Sequence, residues 1–103
     1  MALARFDDLI HPSTRLSIVS LLAGADWVEF AFLRDQLGLS DSALSKQLST
    51  LEDAGYVRIE RPVSDHRRRV QTRLTPAGRS AFQGHVAALR AIVGQADPEN
   101  ALR

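Results

Sequence analysis

The chain has no cysteine, which removes disulfides, zinc thiolates, thiol redox sensing and a nucleophilic cysteine together. No apolar run approaches the length of a membrane span. The N-terminal MALARFDDLIH is acidic in its middle, not basic then apolar like a secretion signal. Internal repeats, low-complexity runs and inter-domain linkers are also missing. At 103 residues the expectation is one domain over residues 1–95 with a flexible tail at 96–103, too short for a DNA-binding module plus a full ligand-binding domain. The expected setting is soluble and cytoplasmic, with no membrane partner.

What is present is an uneven charge. The net charge is only +1, but residues 1–57 hold four basic against eight acidic side chains, residues 58–79 hold seven arginines against two acids, and residues 80–103 balance. Twelve of the thirteen cations are arginine, the better fork for phosphate and guanine edges. A basic block in a nearly neutral domain is the footprint of phosphate contact.

Local signals then place the elements. Leu3, Phe6, Leu9 and Ile10 are spaced for one face of a short N-terminal helix that Pro12 interrupts, with Ser13 as the cap of the next helix, about Thr14 to Ala23. Leu16, Ile18, Val19, Leu21 and Leu22 crowd that second helix so densely that it should be buried on most sides. FAFLRDQL predicts a helix from Phe30 to Leu37, and Gly38 the tight turn after it. Ser40 has the side chain of an N-cap, Asp41 adds charge in the first turn, and Gly55 ends a helix from about Asp41 to Ala54. Leu44, Leu48 and Leu51 form its inner stripe, leaving Ser42, Ser45, Lys46 and Ser49 outside. Two helices joined by a tight turn match the helix-turn-helix plan, in which the second helix enters the DNA major groove.

Asp26 to Glu29 reads as a brief extended edge that pairs with strands downstream. Val57, Ile59 and Arg61 alternate with Arg58 and Glu60, and Val70, Thr72 and Leu74 with Gln71 and Arg73, which predicts a hairpin. Its connection, Ser64 to Arg69, carries the basic triplet at the tip and on the returning strand, and Pro62 limits pairing of the first strand. Thr75 and Pro76 open a last helix to about Val93, with Phe82, Val86, Leu89 and Val93 along one side. The fold class is therefore mainly α with a small β-hairpin wing, an α+β winged helix-turn-helix.

The passages LSDSALSKQLSTLEDAGYV and SDHRRRVQTRLTPAGRSAF resemble the winged-helix transcriptional regulators of the MarR and ArsR type, over roughly Leu9 to Val86. The resemblance implies DNA binding as a homodimer at a palindromic operator, usually as a repressor. It places Ser42, Ser45, Lys46 and Ser49, with Ser40 at the helix start, on the DNA groove, and Arg67, Arg68 and Arg69 in the wing. Three features depart from the family pattern. The long terminal helices that build a ligand crevice in MarR proteins are reduced here, the wing has His66 where many members have Asp directly before the Arg pair, and the paired cysteines of ArsR metal sensors are absent.

Blander readings stand beside these. The serine face could be merely solvated, but the turn glycine, hairpin and Arg cluster all fall where one fold needs them. Three adjacent arginines repel one another without an anionic partner, which favours contact with phosphate or the minor groove. Ser64, Asp65 and His66 have the residue types of a hydrolytic triad but, as neighbours on one turn, not its geometry, so no catalytic residue and no enzyme is expected. His11 and His85 could meet if the terminal helices pack together, but without a ligand-spaced carboxylate neither a metal nor any other cofactor is expected. Trp27 and Phe30 read as core. Leu3, Phe6, Phe82, Leu89, Ile92 and Val93 give more apolar surface than one small domain covers and form the expected homodimer interface. The expected partners are double-stranded DNA and a second copy of the chain; an effector is left open. The alternative from another class is a winged-helix module that docks a protein and binds no DNA.

Overall fold

Asp7 organises a single turn where the apolar spacing predicts an N-terminal helix. The computed structural model describes residues 5–61, 63–64 and 67–95, with residues 63, 64, 67 and 68 by backbone alone. Leu3, the Asp65–His66 connection and the tail at 96–103 lie outside the described residues. Asp7 Oδ1 accepts from the Leu9 and Ile10 N–H groups at 2.9 and 3.1 Å, and the His11 N–H reaches the Asp7 carbonyl at 2.9 Å. That side chain competes with continued helix, and Pro12 stops the turn after one cycle. Among the described residues no helix precedes Pro12.

Helix α1 (Ser13–Ala23) begins one residue earlier than its sequence predicts. Pro12 occupies the cap position and its carbonyl takes the Leu16 N–H at 2.9 Å, so Ser13 is the first helical residue instead of the cap. Ile18, Val19 and Leu22 are fully buried, whereas Leu16 and Leu21 are half-buried. After strand β1 (Val28–Glu29) come α2 (Phe30–Leu37) and α3 (Asp41–Asp53), as the capping signals predict. Gly38 and Gly55 have φ of 64° and 80°, a backbone open to glycine at little cost. Each accompanies the same closure: the Leu39 N–H returns to the Arg34 carbonyl at 3.0 Å and the Tyr56 N–H to the Leu51 carbonyl at 3.0 Å, satisfying carbonyls the helix ends would strand.

The hairpin is built from β2 (Val57–Glu60), β3 (Val63–Ser64), β4 (Arg67–Arg68) and β5 (Gln71–Leu74). Strands β1, β5 and β2 form an antiparallel sheet in that order, with Val28 opposite Thr72 and Ile59 opposite Thr72 on its other side. The register from Val57↔Leu74 to Glu60↔Gln71 resumes unshifted at Val63↔Arg68 and Ser64↔Arg67. Pro62, expected from the sequence to limit pairing of the first strand, lies outside the described residues. One hairpin thus extends from the core to the basic triplet, and Arg67 and Arg68 lie on its returning strand.

Thr75 joins hairpin to α4 (Pro76–Gly94): its hydroxyl accepts the Gly78 N–H at 3.0 Å and donates to the Gly55 carbonyl at 2.7 Å. Gly78 passes so close to the Tyr56 backbone that an added Cβ would overlap that carbonyl. The core unites Ile18, Val19, Leu22, Val28, Leu33, Leu44, Leu48, Leu51, Val57 and Leu74, with Phe30 and Phe82 packed against it. Along α4 the buried side chains are His85 and Ala88, not the apolar row Phe82, Val86, Leu89 and Val93. His85 can be inside because both its ring nitrogens have partners, the Asp7 N–H and His11.

Candidate nucleic-acid interface

Ser42, Ser45, Lys46 and Ser49 recur at helical spacing and all four are exposed, a continuous polar row on α3 backed by Leu44, Leu48 and Leu51 at 0, 1 and 0% exposure. Burying each leucine contributes about 1.5 to 3 kcal/mol, so the row cannot rotate inward without large loss. Ser40 is exposed at the start of α3 and already engaged: its Oγ accepts the Ala43 N–H at 3.1 Å and lies 3.3 Å from Ser42 Oγ.

Both neighbouring helices brace α3 through residues outside that row. Arg34 on α2 donates to Asp41 at 2.9 Å and to Asp35 at 3.0 Å. Those hydrogen bonds, to Asp35 first and Asp41 second, raise the Arg34 pKa above its ordinary value. Arg15 on α1 donates to the Gln47 side chain at 2.8 Å and to the Leu9 carbonyl. The polar row is left free and the helix is fixed behind it.

Between α3 and the sheet lies a groove of about 350 Å³ lined by Asp41, Ser45, Ser49, Glu52, Ile59 and Arg61, among others. Sequence patterning alone did not bring Arg61 to this groove. Its parity with Val57 and Ile59 was the signal that could have done so: those two face the core, and the next position of the same face looks past the core edge onto α3.

The Arg-rich block folds back on the acidic first half of the chain. Arg69 is exposed and its Nη1 lies 3.4 Å from Glu29 Oε1, while Arg73 pairs with Asp26 at 3.1 Å and sits 5.1 Å from the centre of the Trp27 ring. Arg58 stands directly across the ladder from Arg73 and meets Glu60 at 3.4 Å. These pairs are exposed and each is worth about 0 to 1 kcal/mol, so a phosphate can replace a carboxylate at low cost.

At the opposite end of the molecule the expected meeting of His11 and His85 is observed. His85 is completely buried; its Nδ1 accepts the Asp7 N–H at 2.9 Å and its Nε2 lies 3.3 Å from His11 Nδ1. An acceptor at Nδ1 assigns the proton of the neutral ring to Nε2, which then donates to His11. Burial, and after it the neighbouring His11, lower the His85 pKa. A nitrogen that carries the proton offers no lone pair to a metal, and among the described residues no group of three His, Cys, Asp or Glu is placed to hold one. Asp7 Oδ2 accepts the Tyr56 hydroxyl at 2.6 Å, and this bond chiefly raises the Tyr56 pKa.

Phe6 packs its ring 4.6 Å from His11 and 4.7 Å from His85 and is still 41% exposed. Of the residues expected at a dimer contact, Phe82 is half-buried against the chain's own core and Leu89 half-buried on α4. Ile92 and Val93 are 51 and 66% exposed. No described helix is long and apolar enough to cross a membrane.

A capped and braced second helix with an exposed polar row, followed by a hairpin carrying arginines, defines a winged-helix nucleic-acid binder. The family model for the winged helix DNA-binding domain matches residues 14–93, and the chain belongs to that family. An uncharacterized protein of Methanocaldococcus jannaschii is 33% identical over 78 residues, spanning 76% of this chain and 85% of that protein. Among solved structures, the transcriptional regulator homologue protein from Pyrococcus horikoshii OT3 superposes with a TM-score of 0.83 at 22% identity, over 86% of this chain and 88% of that one. ZitR from Lactococcus lactis, a zinc-responsive MarR family member, gives 0.64 at 22% identity over 99 and 76%. At such identities the two structures speak for the shared fold. The chain is a winged-helix DNA-binding domain.

Proposed function

We propose that this regulator binds operator DNA sequence-specifically as a cytoplasmic homodimer, with residues up to about 95 acting as one unit. Helix α3 enters the major groove and reads bases through Ser42, Ser45, Lys46 and Ser49, with Ser40 near the flanking phosphate. The wing, Arg67 to Arg69, lies on the backbone or in the minor groove, and occupancy of a palindromic promoter site represses transcription. The observation that carries this reading is the exposed row on α3, held rigid by Arg34 and Arg15 while its own side chains stay free of the core. Arg61, across the groove from Ser45 and Ser49, adds a cation where the strand between helix and wing would run. A second copy is supported by the uncovered Phe6, Ile92 and Val93, to which Leu89 and the preceding Leu3 are adjoined in the proposed interface; Phe82 then supports α4 from within. No effector is assigned.

Competition binding tests the division of labour. Lys46→Ala and Ser45→Ala should lower preference for the operator over random duplex by about 1 to 3 kcal/mol for each good base-edge interaction removed. Replacing Arg67, Arg68 and Arg69 together should weaken all duplexes alike and flatten the slope of log affinity against log salt by about 0.9 for each phosphate no longer neutralised. Unchanged specificity in both helix variants would remove α3 as the reader, and an unchanged salt slope would remove the wing.

A further inference from the structure

We propose that His11 and His85 form a proton-operated latch that fastens the segment from Arg5 to His11 onto α4 at neutral pH and releases it on acidification. This inference goes beyond DNA binding and does not depend on it.

The closed latch has no place for an added proton. A proton on His85 Nδ1 would face the Asp7 N–H that now donates to it at 2.9 Å. A proton on His11 Nδ1 would face the His85 Nε2–H across 3.3 Å. Either way two donors meet head to head and one link is broken. His85 is fully buried while His11 is exposed, so His85 can take up a proton from solvent only when the segment opens.

The surroundings set the direction. From the N-terminal segment Asp7 and Asp8 favour a charged His85, but its burial and His11 outweigh them and its pKa is lowered. Arg5 borders the adjacent hollow with Asp7. Tyr56, at the start of the hairpin, donates to Asp7. Arg15 of α1 is engaged by the Leu9 carbonyl and Gln47. A histidine held neutral in the closed form and free to protonate when open stabilises closure above about pH 6.5, and that contribution is lost as pH falls below it. Opening also reaches the DNA face, because Asp7 is the acceptor for Tyr56, whose N–H closes the end of α3.

Amide hydrogen exchange of the intact chain, read at Asp7 and divided by the intrinsic rate at each pH, measures latch opening directly. The expected result is faster normalised exchange by about tenfold between pH 7.5 and 5.5, with nitrogen-15 shifts placing the His85 proton on Nε2 at pH 7.5. In His85→Phe the pH dependence should vanish. Normalised exchange that stays flat in the wild type, a His85 proton on Nδ1, or an undiminished slope in His85→Phe would each overturn the latch. If His85→Phe does not fold, the two wild-type measurements still decide.

Discussion

Helices α3 and α4 start alike and finish differently. Each opens on a hydroxyl cap that accepts the N–H three residues on, Ser40 for Ala43 and Thr75 for Gly78, and each carries an apolar row. In α3 the row Leu44, Leu48 and Leu51 is sealed by the rest of the chain, and what remains outside is serine and lysine. In α4 the chain seals His85 and Ala88 and leaves Ile92 and Val93 more than half exposed. One helix is completed by its own chain and presents polar chemistry. The other presents apolar surface, which the proposed second copy of the chain would cover.

The largest effect should separate the two rows by stability. Leu48→Ala is expected to cost about 2 to 5 kcal/mol of unfolding free energy, whereas Val93→Ala should stay within about 0.5 kcal/mol in a dissociated subunit. Urea unfolding at low protein concentration measures both, and equal losses would erase the distinction. A second effect concerns association. Ile92→Asp with Val93→Asp places two carboxylates on positions already exposed in one subunit, so folding should survive while dimers dissociate, because burying unpaired carboxylates in an interface is costly. Light scattering at tens of micromolar reads this out; a wild-type monomer, or a double variant that remains dimeric, would break the assignment of α4.

The smallest effect comes from β5, which feeds α4. Thr75 satisfies its hydroxyl twice, but Thr72, fully buried between Val28 and Ile59, has an Oγ1 without a hydrogen-bond partner among the described residues. Thr72→Val keeps the shape and removes an unsatisfied polar atom, and a gain of about 0.5 to 1.5 kcal/mol is expected. A loss in thermal or urea unfolding would mean that the hydroxyl has a partner after all.

The contrast between the helices also marks what the sequence reveals. The bounds of α2 and α3 were legible because their signals are local: Ser40 and Asp41 at one end, Gly38 and Gly55 at the others. The three-stranded sheet followed from parity, and the same parity could have brought Arg61 to the groove beside α3. The N-terminal helix failed because Asp7 answers to residues far away, Tyr56 and His85, while locally it caps a turn that apolar spacing does not report. His85 in the interior was equally hidden, since a polar residue is admitted there only once the Asp7 N–H and His11 occupy its two nitrogens. The pairing of Arg69 and Arg73 with Glu29 and Asp26 is likewise tertiary: the excess charges of the two halves look separate in the sequence and meet across the sheet.

Selection of bound sequences from a random duplex pool tests the central claim most directly, because it reads α3 and the proposed dimer interface of α4 in one experiment. Two wings held across a two-fold axis should enrich an inverted repeat whose half-site centres lie about 34 to 36 Å apart, one helical turn of DNA. A pool that shows no enriched sequence would contradict the reading helix, and a single half-site without its inverted copy would contradict the dimer.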